Sequence, residues 1–448
     1  MNQAVSTRAS VWSWIVTRRY TLALAALVSA SLAFRLHVSH ACSLWQDEAS
    51  TAHDAYAPWP LLLHGPEREH PPLMFWMVRF ATEILGRGDT GVRSVSLFFG
   101  CVLLVAVYRL CLELELSAAQ GLAAAASLSL TPFFMKHAIE ARQYAITGAL
   151  VTFSTVFALR LLRGPFRLRT FVGFAVCSVA ASAVQFFAFA YALSLWGAVV
   201  VGTARRWRPQ TLSVRQRAAL ASVLGLTLLS FGAITVLVVS LAHWYEMRAL
   251  GEKAQHHFSV PSIWRAFSFL ARPPWPALEP FVAAFGLLFI AVRRRSLAGL
   301  IPLALTFAPI GVASLMSSGH SLGPRYLYPS FVFYQLGEVA AVFGVFELLA
   351  KLAGRWGRPL AALGVVALVV PLGLRLREYP TGFGAGTANY RGLQAYFEGP
   401  RGRDTALVVF VGYAGLRIMQ TLYPVPHLMS LEAFEPIPGI DRYLIAEF

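Results

Sequence analysis

The chain has 448 residues, of which 57% are hydrophobic and only 13% are charged. A soluble domain averages about 25% charged residues, so this composition excludes a water-soluble protein and indicates one that crosses a membrane several times. The net charge is +16. Arginine-rich loops on the cytoplasmic side of a membrane explain that excess, and we expect no nucleic-acid partner.

Apolar stretches of about 18 residues or more can cross a bilayer, and the sequence contains eleven candidates. They lie at residues 20–37, 92–112, 118–136, 143–162, 170–187, 188–204, 218–242, 278–293, 297–317, 326–349 and 359–376. The first follows Arg8, Arg18 and Arg19 without a clear cleavage site, which is typical of an uncleaved signal-anchor helix. The sequence therefore predicts an all-α polytopic fold with about 11 transmembrane helices.

The positions of the arginines predict the orientation of these helices. With the N-terminus in the cytoplasm, four basic clusters fall on the cytoplasmic side, at residues 160–169, 205–217, 293–295 and 351–358. They lie in short loops, where the positive-inside rule applies best. The loops between them, which carry most of the polar residues discussed below, are then expected on the outer side.

The segment "PPLMFWMVRFATEIL" (71–85) is apolar but short, and it contains Arg79 and Glu83. These features are not typical of a membrane span. They favour a helix that lies along the outer surface of the cytoplasmic membrane or re-enters the bilayer from that side. Counting it as a span would place the later arginine clusters outside. A second short helix can begin at Asp47, so the first outer loop is predicted to hold two juxtamembrane helices.

The chain becomes more polar after about residue 377. The segment "TALVVFVG" (405–412) is typical of a buried strand, and "NYRGLQAYF" (389–397) has helical periodicity. The sequence therefore predicts a transmembrane domain at residues 1–376 and a small extramembrane α/β segment at residues 377–448.

Two adjacent carboxylates, Asp47 and Glu48, lie about ten residues after the first span in "SLWQDEAS". Trp45 precedes them, and tryptophan favours the headgroup level of a membrane. Asp47 is therefore expected at the membrane surface. Glu48 either contributes beside it or caps the following helix, whose first turn favours acidic residues.

The second polar outer segment is "PFFMKHAIEARQYAITG". On a helix, Lys136, His137, Glu140 and Tyr144 would share one face, and Arg142 would point roughly opposite. The alternative is a helix end with an internal Lys136–Glu140 pair and no functional role.

The third polar outer segment, "GHSLGPRYLYPS", carries Arg325 on the side that normally has fewer cations. A guanidinium can hold a phosphate through two hydrogen bonds, whereas Tyr326 can also belong to the aromatic belt. Farther away, His256 and His257 are adjacent on one loop and do not form a metal-ligand set. The need for a divalent metal ion is left open.

Four motifs occur in order and on one predicted face: "LWQDEAS", "EREHPPLMFW", "IEARQYAITGAL" and "GPRYLYP". Together they resemble the GT-C superfamily of integral-membrane glycosyltransferases. The nearest branch is similar to the bacterial relatives of polyprenyl-phosphate-mannose protein mannosyltransferases and of the aminoarabinose transferase that modifies lipid A. The ordered set is more specific than any single motif, and the resemblance covers most of the chain as a pattern of spans.

The resemblance implies transfer of one sugar from a polyprenyl-phosphate carrier to an acceptor outside the cytoplasmic membrane. It implies that Asp47 is the catalytic base and that Glu69 is the acid before the two prolines. The lipid A branch has a lysine where this chain has His70, which leaves the acceptor class open. The remaining motif positions correspond to Glu140, Arg142, Arg325 and Tyr326.

We therefore predict an inverting transferase of the bacterial inner membrane, with its active site outside and an unknown glycan, lipid or protein acceptor. The predicted catalytic residues are Asp47, Glu48 and Glu140. The predicted substrate-binding residues are Glu69, His70, Lys136, His137, Arg142, Tyr144, Arg325 and Tyr326. The alternative is a transporter or lipid flippase. Such proteins more often have charged residues near the midplane of the bilayer and internal sequence repeats. A structural membrane protein is a third hypothesis.

Overall fold

The structure is a computed structural model. It describes residues 2–42, 44–59, 71–203, 213–249, 279–294, 297–316 and 324–353, three strands near the C-terminus, and the single positions 359, 363 and 366.

Thirteen α-helices lie within these described residues. In chain order they are α1 Asn2–Ala41, α2 Gln46–Tyr56, α3 Leu73–Leu85, α4 Asp89–Glu113, α5 Ala118–Ser129, α6 Pro132–Ile139, α7 Tyr144–Arg163, α8 Leu168–Val184, α9 Ala188–Thr203, α10 Val214–Ala249, α11 Glu279–Arg294, α12 Ile301–Met316 and α13 Tyr328–Ala353. Two short 3-10 helices, Leu297–Leu300 and Pro324–Leu327, precede α12 and α13. The protein is thus predominantly helical, as predicted.

Five helical stretches are long and apolar enough to cross a membrane: Arg18–Ala41, Asp89–Glu113, Tyr144–Arg163, Val214–Val236 and Arg325–Leu349. Shorter apolar helices occupy four further predicted spans, at Leu168–Val184, Ala188–Thr203, Phe281–Arg293 and Ala298–Pro309. These helices make the chain a multi-pass membrane protein. The total of eleven spans stays a prediction, because most of the last candidate, 359–376, lies outside the described residues.

The predicted span 118–136 is not a straight helix. It is divided into α5 and α6, which are bent by 70° relative to each other. The cause is local: Thr131 precedes a proline and has the extended backbone such residues prefer, with ψ of 126°. Pro132 then occupies the first turn of α6, where its missing N–H leaves no hydrogen bond unmade. The bend brings His137 and Glu140 back toward α1 and α4 instead of continuing along the span.

The helix α3 is amphipathic and short. Its 13 residues extend about 20 Å, less than the ~30 Å hydrocarbon core of a bilayer. Met74, Phe75 and Val78 are buried, whereas Phe80 and Ile84 are each 66% exposed. The helix contacts α2 and α4. This shape fits the predicted surface helix, and α3 is not one of the candidate spans.

The core of the described residues includes a large and a smaller apolar cluster, with a third, minor one of Val38, Leu97 and Ile139. The larger cluster joins side chains of α4, α5, α7, α8 and α13 along the bundle. The smaller one lies between α2, α3 and the adjoining ends of α4, α7 and α8, and includes Leu44, Met74, Val92, Ile146 and Val184. The second cluster supports the segment that follows α1, which carries the two adjacent carboxylates.

The C-terminal strands are β1 Thr405–Phe410, β2 Leu428–Ser430 and β3 Arg442–Glu447. They form a parallel sheet in the order β2-β1-β3, with Leu407 paired to both Leu428 and Leu444. The predicted strand 405–412 begins at the same residue as β1. The predicted helix 389–397 lies outside the described residues, so the α/β class of the tail and the domain boundary at 376 stay predictions.

The backbones of α11 and α13 touch at two glycines. A Cβ atom at Gly286 would collide with the Gly337 carbonyl oxygen, and one at Gly337 would collide with the Ala283 carbonyl oxygen. Such contacts between small residues let membrane helices approach closely. Any side chain at these positions has to force the two helices apart.

We expect Gly337→Ala to lower the free energy of unfolding by about 1–3 kcal/mol, which is the usual cost of overpacking. Thermal unfolding in detergent measures it. The matched control is Gly232→Ala in α10, where a Cβ meets nothing within 4 Å. An equal melting temperature for the two variants would contradict close packing of α11 on α13.

Candidate active site

Asp47 and Glu48 lie in the first turn of α2. The Trp45 backbone N–H donates to Glu48 Oε2 at 3.1 Å, which caps the start of the helix. The Thr51 hydroxyl donates to the Asp47 carbonyl oxygen one turn later. Acidic side chains in a first helical turn also face the positive end of the helix dipole. The two neighbouring carboxylates are therefore held on a rigid element but point in different directions.

Asp47 meets two arginines from distant parts of the chain. Arg325 Nη1 donates to Asp47 Oδ2 at 2.7 Å, and Arg142 Nη2 lies 3.9 Å from the same oxygen. Arg142 Nη1 also donates to the Asp47 carbonyl oxygen at 3.3 Å. We call Asp47, Arg142 and Arg325 the aspartate–arginine cluster. It joins α2, the turn between α6 and α7, and the 3-10 helix before α13.

The aspartate–arginine cluster is open on one side. The side chains of Asp47 and Arg325 are 28% and 36% exposed, whereas that of Arg142 is 8% exposed. Arg142 is fixed further by its bond to the Thr51 hydroxyl, at 3.1 Å. An incoming anion can therefore reach Arg325 from solvent, whereas Arg142 is buried and held in place.

Glu48 lies in a different environment. Its side chain is fully buried, and its two oxygens accept from Arg93 Nε at 2.7 Å and Arg93 Nη2 at 2.6 Å. Oε1 also accepts from the Ala141 backbone N–H at 2.8 Å. Together with the Trp45 N–H, four donors surround this carboxylate. The sequence predicted a catalytic role for Glu48, and the structure places it behind the aspartate–arginine cluster.

Glu140 forms a second polar group with two residues of α6. His137 Nδ1 lies 2.8 Å from Glu140 Oε2, and Lys136 Nζ lies 3.7 Å from Oε1. Glu140 is 1% exposed and Lys136 is largely exposed. Lys136 Nζ also lies 5.7 Å from the centre of the Trp45 ring. These side chains are therefore neighbours, but the predicted single helix face is wrong, because α6 ends at Ile139 and Tyr144 begins α7.

Tyr144 and Tyr326 connect the two polar groups. The Tyr144 ring lies 4.7 Å from the His137 ring and 6.4 Å from the Tyr326 ring. The Tyr326 ring in turn lies 5.6 Å from the Arg325 guanidinium carbon. The Tyr144 hydroxyl is buried and has no hydrogen-bond partner among the described residues. A buried hydroxyl of this kind is suited to hydrogen-bond a ligand, because leaving it unpaired is costly.

Comparison with known proteins identifies the fold. A family model described as dolichyl-phosphate-mannose-protein mannosyltransferase matches residues 69–231. None of the curated proteins matches the sequence significantly. Solved structures match over almost the whole chain. The chain has the GT-C glycosyltransferase fold.

Two of these structures are similar to the chain at low sequence identity. The archaeal oligosaccharyltransferase AglB from Archaeoglobus fulgidus, solved with an inhibitory peptide and a dolichol-phosphate, is 13% identical, with a TM-score of 0.57 over 93% of this chain. ArnT from Cupriavidus metallidurans, solved with undecaprenyl phosphate, is 15% identical, with a TM-score of 0.54 over 93% of this chain and 86% of ArnT. The chain spans 64% of the AglB chain, which is less than two thirds.

The GT-C resemblance that the four motifs predicted is thus confirmed at the level of the fold. The matched family segment contains Glu140 and Arg142 and ends well before Arg325. Glu69 and His70, at the start of that segment, lie outside the residues that the structure describes, as do His256 and His257. Within the described part of the chain, no group of three or more histidine, cysteine or acidic side chains could hold a metal ion.

Sequence reasoning missed Arg93 and Ser96, both buried near the start of α4. Arg93 is the ion-pair partner of Glu48, and the Ser96 hydroxyl donates to the Arg142 carbonyl oxygen at 3.1 Å. One signal was present in the sequence: an arginine at the edge of a predicted span is costly unless it is paired. The identity of the partner depends on tertiary contacts 45 residues apart.

Proposed function

We propose that the protein transfers a single sugar from a polyprenyl-phosphate donor to an acceptor on the outer side of a bacterial cytoplasmic membrane. The observation that carries the proposal is the aspartate–arginine cluster, in which one carboxylate and two guanidiniums meet at one end of a membrane bundle. The solved structures of AglB and ArnT, which contain dolichol-phosphate and undecaprenyl phosphate, support the donor class by similarity of fold.

The arginines suit the donor phosphate. Guanidinium groups bind phosphate oxygens through paired, charge-assisted hydrogen bonds. Arg325 is partly exposed and Arg142 lies behind it, so a lipid phosphate arriving from the membrane would meet Arg325 first. Tyr326 lies beside Arg325 and adds a neutral contact. So does the buried Tyr144 hydroxyl, which has no hydrogen-bond partner among the described residues. Positive charge at this position stabilises the phosphate as it leaves the sugar.

Asp47 suits the role of general base. The acceptor hydroxyl oxygen attacks the anomeric carbon of the sugar, the bond from that carbon to the phosphate oxygen breaks, and polyprenyl phosphate leaves with the bonding electrons. The hydroxyl proton passes to the Asp47 carboxylate and then to water. One carboxylate is enough for a single displacement, which inverts the anomeric centre, by analogy with the base of inverting glycosidases.

Glu140, His137 and Lys136 are proposed to hold the sugar or the acceptor. The buried Glu140 carboxylate orients His137 through their 2.8 Å contact, while Lys136 remains exposed beside Trp45. Glu69 and His70 precede α3 in sequence and stay proposed donor or acceptor contacts. The acceptor is an unidentified glycan, lipid or protein, and a requirement for a divalent metal ion is not part of the proposal.

The proposed function is tested with membranes from cells that produce the chain and from cells that do not. The donor is the mixture of radiolabelled polyprenyl-phosphate sugars extracted from the producing cells, and the readout is label in acceptor material. We expect transfer only with the chain present. Equal labelling in both membranes would overturn the proposal.

Glu140→Gln tests the second polar group. The amide keeps the size of the side chain but removes the charge that orients His137 and lies 3.7 Å from Lys136. Because small displacements of binding groups can slow a reaction ~10²-fold, we expect transfer to fall by about 10- to 100-fold. The same assay measures it, with Glu113→Gln as control; Glu113 pairs with Arg160 at the other end of α7. Equal activity of the two variants would remove Glu140 from the site.

A further inference from the structure

We infer that Arg93 and Glu48 form a clamp that positions Asp47 and Arg142 relative to each other. The inference rests on the proposed function, since it assigns these two residues a part in the same site. Neither residue would touch the substrate. Their role would be to hold the base and the phosphate-binding arginine in register while the donor and acceptor react.

The clamp is centred on the Glu48 carboxylate. Arg93 contacts it through two parallel hydrogen bonds, of 2.7 Å and 2.6 Å, and both side chains are fully buried. The Ala141 and Trp45 backbone N–H groups donate to the same carboxylate. A carboxylate offers about four acceptor positions, so these four donors occupy all of them. No position remains for a substrate proton, which argues against direct catalysis by Glu48.

Arg93 also binds the end of α1. Its Nη1 donates to the Ser39 carbonyl oxygen at 2.8 Å and to the Cys42 carbonyl oxygen at 2.9 Å. One guanidinium on α4 therefore connects the C-terminal end of α1 with the first turn of α2. Arg93 thus holds both flanks of this short connection, immediately before Asp47.

The other half of the clamp lies in the turn between α6 and α7. Ala141, whose N–H is bound by Glu48, directly precedes Arg142. Ser96, one turn after Arg93 on α4, donates to the Arg142 carbonyl oxygen. Arg142 then donates to the Asp47 carbonyl oxygen and the Thr51 hydroxyl. The segments that carry Asp47 and Arg142 are thus both fixed to adjacent turns of α4.

Stability alone does not account for this arrangement. Moving two charges into a buried site carries a desolvation penalty that often offsets their attraction, so a buried ion pair is weak evidence for a stabilising role. What the pair does specify is geometry: a planar guanidinium and a carboxylate fix distance and angle together. Replacing Arg93 by lysine would keep the positive charge but remove the two parallel N–H donors of the guanidinium.

The test uses Arg93→Lys and Glu48→Gln in the full chain, purified in detergent or lipid nanodiscs. Steady-state transfer gives kcat and the donor KM, and hydrogen exchange read by mass spectrometry reports the backbone around residues 44–48 and 139–143. We expect kcat to fall by ~10- to 100-fold in both variants. The donor KM should change by less than about 3-fold, which is well below a tenfold change in donor affinity. Exchange should accelerate in those two segments and remain unchanged elsewhere.

The double variant Glu48→Gln/Arg93→Lys is expected to be no slower than the slower single variant, because residues that act as a unit are not additive. Should a single variant fail to fold, Glu48→Leu/Arg93→Met removes both charges together, a replacement that buried ion pairs often tolerate. The folded double variant should still lose kcat. The control is Arg293→Lys/Glu347→Gln, an exposed ion pair between α11 and α13, with wild-type kinetics and exchange.

Several outcomes would overturn the clamp. Wild-type kcat in both single variants would do so, as would unchanged exchange at residues 139–143. Loss of activity in Glu48→Gln with normal activity in Arg93→Lys would instead indicate that Glu48 acts on the substrate. If the wild-type chain transfers no sugar, the proposed function fails, while the exchange measurement still decides whether Arg93 and Glu48 hold the two segments together.

Discussion

Asp47→Asn is expected to reduce sugar transfer by about 10²- to 10⁴-fold, the usual contribution of a positioned acid or base. Asparagine keeps the size of the side chain and an oxygen that Arg325 can reach, but it cannot accept the acceptor's proton. Asp47 is partly exposed and its 2.7 Å contact is to one arginine, so the fold should not depend on its charge. Transfer of radiolabel in membranes, normalised to the amount of inserted chain, measures the effect.

The matched control for Asp47→Asn is Glu83→Gln. Glu83 is an acid on α3 whose side chain is 47% exposed, and it lies outside the aspartate–arginine cluster. We expect wild-type transfer from this control. Near-normal transfer by Asp47→Asn, with the chain inserted at normal levels, would show that another group removes the proton.

Arg325→Ala should be the second most damaging change. It removes the cation that lies 2.7 Å from Asp47 and that we propose binds the donor phosphate. Removing one preorganised donor of this kind typically slows a reaction by ~10²- to 10³-fold, and we also expect a higher donor KM. Arg325→Lys should recover part of the activity, because lysine restores the charge but not the two-point contact.

The control for Arg325→Ala is Arg87→Ala. Arg87 is an exposed arginine after α3, and its guanidinium carbon lies 5.1 Å from the centre of the Tyr56 ring. Steady-state kinetics with varied donor concentration separates KM from kcat in each variant. Equal loss in Arg87→Ala and Arg325→Ala would point to a general effect of surface charge. An unchanged donor KM in Arg325→Ala would place the phosphate elsewhere.

The sequence was sufficient to find the residues of the aspartate–arginine cluster but not their arrangement. Asp47, Arg142 and Arg325 stood out because they lie in polar segments on the predicted outer side, and the surrounding motifs resemble those of GT-C enzymes. Their mutual distances depend on two long-range contacts. Arg142 lies 95 positions after Asp47 in the sequence, and Arg325 lies 278 positions after it. Helical periodicity carries no information at such separations.

Glu48 shows most clearly what the sequence leaves undecided. Beside Asp47 it has the same chemistry and the same local propensity, so the pair is indistinguishable until the direction of each side chain is known. In the first turn of α2, the Glu48 side chain points inward to Arg93, whereas the Asp47 side chain remains partly exposed. The bend at Pro132 is the opposite case: proline and the residue before it restrict the backbone locally, so its cause lies in two adjacent residues, although the predicted span 118–136 ran through it.

The central claim is that the chain breaks the bond between a sugar and polyprenyl phosphate. The most direct measurement follows both halves of the donor in proteoliposomes that contain the purified chain, polyprenyl-phosphate sugars extracted from producing cells, and an envelope extract as acceptor source. Our account predicts that one polyprenyl phosphate is released for each sugar transferred, with wild type but not with Asp47→Asn. Movement of the intact lipid-linked sugar to the other leaflet, with no polyprenyl phosphate released, would contradict it and identify a transporter.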